Sequence, residues 1–250
     1  MNQIEFREVK KSFGNTAAID GLNLSIFEGE VYALLGHNGA GKTTALRLLL
    51  GLLEADEGNI TVFGNDPIKD GNAVRSMCGV LSEDVGLYEP LTVYDNLIYY
   101  ADIYGMKRME SNECIDVLLS RFDLLVKKNV IIKGFSTGMK KKVALIRAML
   151  HRPRILLLDE PTNGLDPVST ADLRSILLEL AKEQGTTIIM TTHNLEEVQK
   201  ICDRISIFRH GKNIFTDSIS ELKDSSHYME QGKFSLEKLY MDIEKNGVSK

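Results

Sequence analysis

Residues 36–44 read Gly36-His37-Asn38-Gly39-Ala40-Gly41-Lys42-Thr43-Thr44. The stretch matches the phosphate-binding pattern G-x-x-x-x-G-K-[ST] at every fixed position. Glycine is needed where a tight loop takes positive φ or approaches a ligand closely, and it leaves backbone N–H groups free to point at phosphate oxygens. The pattern therefore predicts a loop that binds a nucleoside triphosphate, in preference to an ordinary glycine turn.

The residues on either side of this loop supply the context that the pattern requires. Residues 31–35 are apolar and predict a buried strand, whereas residues 45–53 are rich in helix formers, with only Gly51 interrupting. A loop that joins a strand to a helix N-terminus presents its N–H groups to an anion. The sequence thus places the phosphate loop between a strand and a helix that begins near Ala45.

Size and composition limit the function classes open to this chain. Its 250 residues, 43% hydrophobic and 26% charged, are typical of a globular protein. A formal net charge of −5 argues against extended nucleic-acid binding, which needs a clustered excess of Lys and Arg. Cys78, Cys114 and Cys202 are odd in number and far apart, so neither a disulfide framework nor a zinc site is indicated.

The hydropathy pattern bears on where the protein is found. No apolar stretch approaches the roughly 20 residues that span a bilayer. Residues 1–5 lack the basic lead and the apolar segment of a secretory signal. We therefore expect the chain to stay in the cytoplasm.

Three short segments predict an antiparallel β layer in the first part of the chain. Apolar residues alternate with polar ones in residues 4–9 and 22–26, and residues 60–63 form a third strand. From Thr92 the apolar period becomes helical, with a capping-box-like start, and a second helix is predicted to begin at Ser111. Residues from about 84 to 150 therefore predict a helical insertion in an α/β chain.

Continuous apolar strands at residues 155–158 and 187–190 predict a parallel sheet, with the helix between them stopping at Gly185. Ligands of such sheets bind at the carboxyl ends of the strands. We expect one site to collect the residues that follow four of these strands, namely Gly36, Ser82-Glu83, Asp159-Glu160 and His193. Further along, residues 204–215 predict a hairpin, and residues 236–243 have helical spacing.

Two carboxylates follow the apolar strand at residues 155–158. At a strand end, Asp159 can hold Mg²⁺ while the Thr43 hydroxyl binds the ion directly, and the neighbouring Glu160 can act on water. Taken alone, this pair could equally be a strand end with solvated charges. Combined with the phosphate loop, it favours hydrolysis of a nucleoside triphosphate.

Residues 1 to about 217 resemble the nucleotide-binding subunits of ABC transporters. The phosphate loop is a complete match, residues 158–167 (Leu-Asp-Glu-Pro-Thr-Asn-Gly-Leu-Asp-Pro) resemble that family's magnesium strand and D-loop, and His193 resembles its switch histidine. The resemblance implies a P-loop NTPase fold: a parallel sheet core, an N-terminal antiparallel β layer and an inserted helical subdomain. The implied divisions are 1–83 for the β layer and phosphate-loop part, 84–150 for the helical subdomain, 151–217 for the remaining core, and 218–250 for a C-terminal helical tail.

Two elements depart from the family pattern. The usual signature Leu-Ser-Gly-Gly-Gln is here Phe135-Ser136-Thr137-Gly138-Met139, which keeps the serine and the second glycine. Glu83 stands where the family usually has glutamine, and it adds negative charge beside the phosphates. The lysines at 140–142 that follow the signature are predicted to form a solvated helix face in preference to a third phosphate contact.

The resemblance implies a role for each motif residue. Catalysis falls to Lys42, Glu160 and His193, and Mg²⁺ binding to Thr43, Asp159 and Glu83. Phe13 lies where the family's aromatic side chain stacks on adenine. The other ATP contacts implied are Gly36, His37, Asn38, Gly39, Ala40, Gly41, Lys42, Thr43, Thr44, Ser136, Gly138 and Asp166.

The resemblance also implies partners. Ser136 and Gly138 would close over ATP held by a second nucleotide-binding subunit, either an identical copy or a close paralogue. A separate transmembrane permease would bind near residues 83–104, where Leu87, Tyr88, Leu91 and Tyr94 could form a groove or simply pack in the core. The chain would then lie at the cytoplasmic face of the membrane, and residues 234–240 resemble the C-terminal helix of bacterial exporters.

One alternative is a soluble ABC-type ATPase that acts on ribosomes or DNA, and another is a regulator without a transport role. The single cassette and the lack of a basic surface argue against the first. The presence of Lys42, Asp159, Glu160 and His193 argues against a regulator that only binds nucleotide. No nucleic-acid partner is expected.

Overall fold

The computed structural model of this protein describes residues 2–224, 228–230 and 233–246. Met1 and parts of the predicted tail at residues 225–227, 231–232 and 247–250 lie outside the described residues. Two larger sheets and the helices packed on them form the body of the chain. This α/β architecture confirms the predicted fold class.

The first sheet is the predicted antiparallel layer. It contains three strands in the order β2-β1-β4, with β1 at Asn2–Phe13, β2 at Thr16–Phe27 and β4 at Glu57–Val62. The pairing slips between Phe6 and Val9, where Glu8 has a φ of 49°. This β-bulge explains why the apolar alternation of the first strand shifts by one residue before Val9.

The second sheet has six strands in the order β5-β6-β7-β3-β8-β9. Its strands are β3 (Val31–Leu35), β5 (Cys78–Leu81), β6 (Ile155–Asp159), β7 (Thr187–Thr192), β8 (Arg204–Arg209) and β9 (Lys212–Ser218). All neighbours pair in parallel except β8 and β9, which form the predicted hairpin. The parallel sheet predicted from the continuous apolar runs is therefore confirmed.

The two faces of this sheet have different neighbours. Tyr32, Leu34 and Leu157 point into a buried cluster shared with the antiparallel layer and helix α1 (Lys42–Leu49). Ala33 and Leu158 point the opposite way, into a cluster shared with the later helices. The sheet is thus covered on both sides, as burial of its apolar strands requires.

Helix α1 differs from its predicted bounds at both ends. It begins at Lys42, directly after Gly41 with φ 108°, and not near Ala45. It ends at Leu49, before Gly51, whose φ of 64° is left-handed and whose added Cβ would lie 2.0 Å from the carbonyl oxygen of Pro67. Gly51 therefore follows the end of the helix and does not interrupt it.

The helices between β5 and β6 are α3 (Val93–Ile103), α4 (Arg108–Arg121) and α5 (Thr137–Met149), with 3₁₀ turns at Leu125–Lys127 and Ile132–Gly134. A capping box of Thr92 and Asp95 starts α3, as predicted. The predicted start of α4 at Ser111 is wrong. That helix begins at Arg108, and the Ser111 hydroxyl donates to the carbonyl oxygen of Lys107 inside its first turn.

The remaining elements are α2 (Gly71–Ser76), α6 (Pro167–Gln184), α7 (Leu195–Ile201), α8 (Ile219–Asp224), the short strands β10 (Met229–Glu230) and β11 (Lys233–Phe234), and α9 (Leu236–Asn246). Gly185 caps α6 in the left-handed conformation, as predicted. The predicted tail helix is α9. Gln199 on α7 fixes its start, donating to the carbonyl oxygen of Phe234 at 2.8 Å and accepting from the N–H of Leu236 at 3.1 Å.

Two further observations concern the sequence predictions. The three cysteines are free thiols, with Cys78 and Cys202 buried and Cys114 half-buried. Of the helices in the described part of the chain, none combines the length and the apolar composition that a bilayer crossing requires.

Strand β5 packs against α5 through Gly79, and this contact provides a test of the fold. A Cβ added at Gly79 would lie 2.1 Å from the carbonyl oxygen of Ala148. We expect Gly79→Ala to lower the free energy of unfolding by about 1–3 kcal/mol, because the backbone must move apart. Gly134→Ala is the matched control, since no atom lies within 4 Å of its added Cβ. Equal urea midpoints for the two variants would contradict this packing.

Candidate active site

A cavity of about 300 Å³ lies at the carboxyl ends of the parallel strands. All four strand ends that the sequence singled out reach it. The lining residues are Ala18, His37, Asn38, Gly39, Ala40, Gly41, Lys42, Thr43, Thr44, Glu83, Asp159, Glu160, Asn163 and His193. Twelve of the residues assigned from the sequence line this one cavity together, and Gly36 lines a cavity next to it.

The backbone of the phosphate loop requires its glycines. Gly36 and Gly41 have φ of 148° and 108°, and a Cβ on either would lie about 2.5 Å or less from the carbonyl oxygen of Phe208 or of Ala18, respectively. Gly39 has φ 82° and no atom within 4 Å of the position a Cβ would take. Neighbouring backbone leaves no room for a side chain at Gly36 and Gly41, whereas Gly39 borders open space that an anion can approach.

Lys42 is buried at the start of α1, with 6% of its surface exposed. Its Nζ donates to the carbonyl oxygens of Gly36 at 2.5 Å and of His37 at 3.2 Å. Burial lowers the pKa of Lys42, and the nearby carboxylates of Glu160 and Asp159 act in the opposite direction. The ammonium group therefore stays within a loop of backbone dipoles, beside the cavity in which phosphate would bind.

Asp159 links three elements at the cavity floor. Its Oδ2 accepts from the Thr43 hydroxyl at 3.2 Å, and its Oδ1 accepts from the hydroxyl of Thr191 on β7. These oxygen donors suit Mg²⁺, which usually takes one or two protein oxygens and completes its shell with water and phosphate. Across the residues that the structure describes, no group of three or more His, Cys, Asp or Glu side chains is placed to hold a metal ion.

Glu160 is held in a restrained conformation next to Asp159. It is 8% exposed and has a φ of 48°, and its N–H donates to the carbonyl oxygen of Thr191 at 3.1 Å. Its Oε1 lies 3.1 Å from Nδ1 of His193, whose side chain is 64% exposed. Among the described residues its buried Oε2 has no hydrogen-bond partner. A carboxylate oxygen in this state is suited to accept a proton from water.

Besides Gly36, four predicted ATP contacts lie outside this cavity, namely Phe13, Ser136, Gly138 and Asp166. Phe13 ends β1 and is 51% exposed, so it is not a core residue. Ser136 caps α5, accepting from the N–H of Met139 at 3.3 Å. Asp166 caps α6, and the N–H and hydroxyl of Ser169 donate to its carboxylate and lower its pKa. Within the described residues, no hydrogen bond joins any of these four to the phosphate loop.

The prediction that residues 140–142 form a solvated helix face is wrong for one of them. Lys140 and Lys142 form ion pairs with Glu89 and Asp172, but Lys141 is only 6% exposed. Its Nζ donates to the carbonyl oxygens of Glu160 at 3.0 Å and of Pro161 at 3.2 Å. The sequence did not reveal this burial, because three consecutive lysines look alike in sequence. They differ only in the direction in which each side chain leaves the helix.

The C-terminal helix contacts the phosphate loop, which the sequence did not predict. The ring of Tyr240 on α9 packs edge-on to His37, with 6.0 Å between ring centroids. Oε1 of Glu244 lies 3.6 Å from Nε2 of His37. A second cavity, of about 370 Å³, lies between Tyr240 and the loop, and Gly36 and His193 border it as well. Tyr240 and Glu244 lie more than 200 positions after His37 in the sequence, and no local pattern joins them to it.

A cavity of about 470 Å³ lies at the opposite, amino ends of strands β6 and β7. The charged residues that line it are Glu28, Glu110, Glu113, Arg121, Arg152 and Arg154. Acids and bases are equal in number there, so the charges do not favour a nucleotide. The smaller cavity at the carboxyl ends is therefore the candidate active site.

Comparison with known proteins points to one family. A family described as "ABC transporter" matches residues 19–163. The chain is 39% identical over 227 residues to the ABC transporter ATP-binding protein NatA of Bacillus subtilis, spanning 90% of this chain and 92% of NatA. It is 37% identical over 214 residues to Nod factor export ATP-binding protein I of a Rhizobium species, spanning 84% of this chain and 69% of that protein.

A solved structure described as the ATP-binding subunit of an ABC transporter has the same fold. It superposes with a TM-score of 0.85 at 27% identity and covers 97% of this chain and 100% of its own. The resemblance drawn from the motifs is confirmed by these matches.

The bonds of Thr191 to Asp159 and Glu160 generate a prediction for the metal site. Thr191→Val keeps the shape of the side chain but removes the hydroxyl that orients Asp159. We expect the Mg²⁺ concentration that half-saturates nucleotide binding to rise about tenfold, the usual cost of losing a group that orients a ligand. Thr216→Val is the control, because that hydroxyl bonds Ser206 outside the cavity. An unchanged Mg²⁺ requirement would show that Thr191 does not support the site.

Proposed function

Because this chain belongs to the ABC transporter family, we propose that it hydrolyses Mg·ATP between two nucleotide-binding subunits and thereby drives a separate transmembrane permease. The observation that carries this proposal is the convergence of Lys42, Thr43, Asp159, Glu160 and His193 on one cavity at the strand ends. ABC ATPases hydrolyse ATP, and this set of side chains supplies the chemistry that the reaction needs.

ATP binds with its phosphates in the loop of residues 36–44. Backbone N–H groups and the N-terminus of α1 face the β- and γ-phosphates, and the Lys42 ammonium offsets their charge. Thr43 and Asp159, with Glu83 beside them, would hold Mg²⁺. When bound, the ion would neutralise the charge that develops on the transferring phosphoryl group. Phe13, half of whose surface is exposed, stacks on adenine.

Hydrolysis needs a base on the far side of the γ-phosphate. Glu160 takes a proton from a water molecule as the water oxygen bonds to the γ-phosphorus, and the bond from phosphorus to the β–γ bridging oxygen breaks. The products are ADP and inorganic phosphate. His193, 3.1 Å from Glu160, orients the carboxylate and contacts the γ-phosphate.

A second subunit completes the site. Ser136 and Gly138 lie at the N-terminus of α5, a helix of 13 residues whose first N–H groups favour an anion. Asp166 likewise caps α6 outside the cavity of its own chain. Two subunits that meet head to tail would bring these groups onto ATP bound by the opposite loop, with an identical copy or a close paralogue as the partner.

The permease would bind on the helical insertion. Tyr88, Tyr99, Ile103 and Tyr104 expose between 39% and 60% of their surface, and Leu91 exposes 39%. Leu87 and Tyr94, which the sequence placed in the same groove, instead pack against the main core. Tyr88 and Tyr99 pack against each other at 5.5 Å between ring centroids, and exposed apolar side chains that adjoin in this way are typical of a protein interface.

Transport out of the cell from the cytoplasmic face is the direction we favour. It is supported by the name of the Rhizobium relative, a Nod factor export protein. The chain would be a peripheral protein bound to the permease. The helical insertion at residues 84–150 would transmit movement of the ATPase core, residues 1–83 and 151–217, to that permease. The net charge of −5 disfavours the alternative of a soluble ATPase that acts on nucleic acid.

Glu160→Gln tests the assignment of the base. The amide keeps the size of the side chain but cannot accept the proton, so we expect kcat to fall by roughly 10²-fold or more with ATP binding retained. Steady-state hydrolysis and nucleotide binding are measured on the same preparation. If hydrolysis continued at the normal rate, Glu160 would not be the base.

Ser136→Arg tests the shared site. The bulky cation blocks the face that would receive the partner's ATP, so we expect loss of hydrolysis while each chain still binds ATP through its own loop. Loss of the helix cap alone costs only about 1 kcal/mol of stability. Ser120→Arg, on an exposed face of α4, is the control for the added arginine. Normal activity in Ser136→Arg would argue for a site contained in one chain.

A further inference from the structure

Lys141 is a buried cation that the mechanism above does not use. It lies in the second turn of α5, five positions after Ser136, and reaches across to the end of β6. Burial lowers its pKa, and the carboxylates of Glu160 and Glu83 act in the opposite direction. A buried ammonium group is unfavourable unless its donors are satisfied. Here two carbonyl oxygens, those of Glu160 and Pro161, accept its hydrogen bonds.

The residue that Lys141 holds has an unfavourable backbone conformation. Glu160 is a non-glycine residue at φ 48°, in the left-handed region. Such a residue keeps this conformation only where the surroundings fix it. Thr191 fixes one side, because its carbonyl and hydroxyl oxygens accept from the N–H of Glu160 at 3.1 and 3.2 Å. Lys141 fixes the other side, through the carbonyl oxygens of Glu160 and Pro161.

We propose that Lys141 is a positioning residue that couples helix α5 to the carboxylate of Glu160. This inference rests on the proposed function, in which Glu160 is the base and the start of α5 contacts the ATP of the partner. When Ser136 engages that ATP, any shift of α5 moves the Lys141 ammonium and with it the two peptide groups that follow Glu160, on either side of Pro161. Lys141 therefore links the two ATP sites of a dimer through its own chain.

The neighbouring lysines on α5 show that a positive charge alone does not explain the buried position of Lys141. Lys140 and Lys142 pair with the exposed side chains of Glu89 and Asp172, and both keep about a fifth of their side-chain surface in solvent. Ion pairs that remain in contact with solvent contribute little to stability. Of the three lysines, Lys141 alone is bonded to the backbone at the end of β6. We therefore expect the loss of Lys141, but not of Lys140, to lower kcat.

The experiment measures kcat and KM for ATP in Lys141→Met, with Lys140→Met as the matched control. Met removes the donors but keeps most of the apolar stem, so we expect kcat to fall about tenfold through misplacement of Glu160. KM should change less than twofold, because the phosphate loop is untouched. Lys141→Gln keeps N–H donors on a side chain one bond shorter, and we expect it to recover most of the loss. Lys140→Met should behave like the unmodified protein.

A double variant distinguishes positioning from general damage. If Lys141 acts through Glu160, Lys141→Met should add no further loss of kcat to Glu160→Gln, since the group being positioned is already inactive. Multiplicative losses, unchanged kcat in Lys141→Met, or equal losses of kcat and ATP affinity without recovery in Lys141→Gln would each overturn the inference. Should Lys141→Met fail to fold, Lys141→Leu, which also lacks the donors, replaces it in both comparisons. Full activity in Glu160→Gln would instead overturn the proposed function.

Discussion

The parallel register of three central strands is the constraint on which this site depends. Leu35 pairs with Thr192, and Asp159 pairs with Thr191, so the ends of β3, β6 and β7 lie side by side. That alignment lets one hydroxyl, on Thr191, bond both carboxylate-bearing residues at the end of β6. A slip by one residue in β7 would turn this hydroxyl to the other face of the sheet and leave the acids without it.

Charge compensation follows from this arrangement. Two buried lysines approach the end of β6, Lys42 from the phosphate loop and Lys141 from the far side. Burial lowers the pKa of each, and the Glu160 carboxylate partly offsets the effect in both cases. Removing one of these charges would leave the others buried without compensation, which is costly in a protein interior. The site is therefore an interdependent unit, in which no single charged residue can be assigned an independent energy.

Local patterns were sufficient to predict most of the fold. The phosphate loop, the capping box at Thr92 and the stop at Gly185 each depend on residues close in sequence, and the structure contains all three. The helix start at Ser111 was misplaced because a serine inside a first turn resembles a cap. The burial of Lys141 and the contact of Tyr240 with the loop depend on packing between distant segments. The roles proposed for Ser136 and its neighbours depend on a second chain.

The central claim is that one ATP site is divided between two chains, and mixing two inactive variants tests it most directly. Lys42→Ala damages the loop, and Ser136→Arg damages the surface offered to the partner. In a mixed dimer both lesions fall on one site, and the other site has an intact loop and an intact Ser136. The account predicts that the equimolar mixture hydrolyses ATP although neither variant does so alone. A mixture as inactive as its two components would contradict the account.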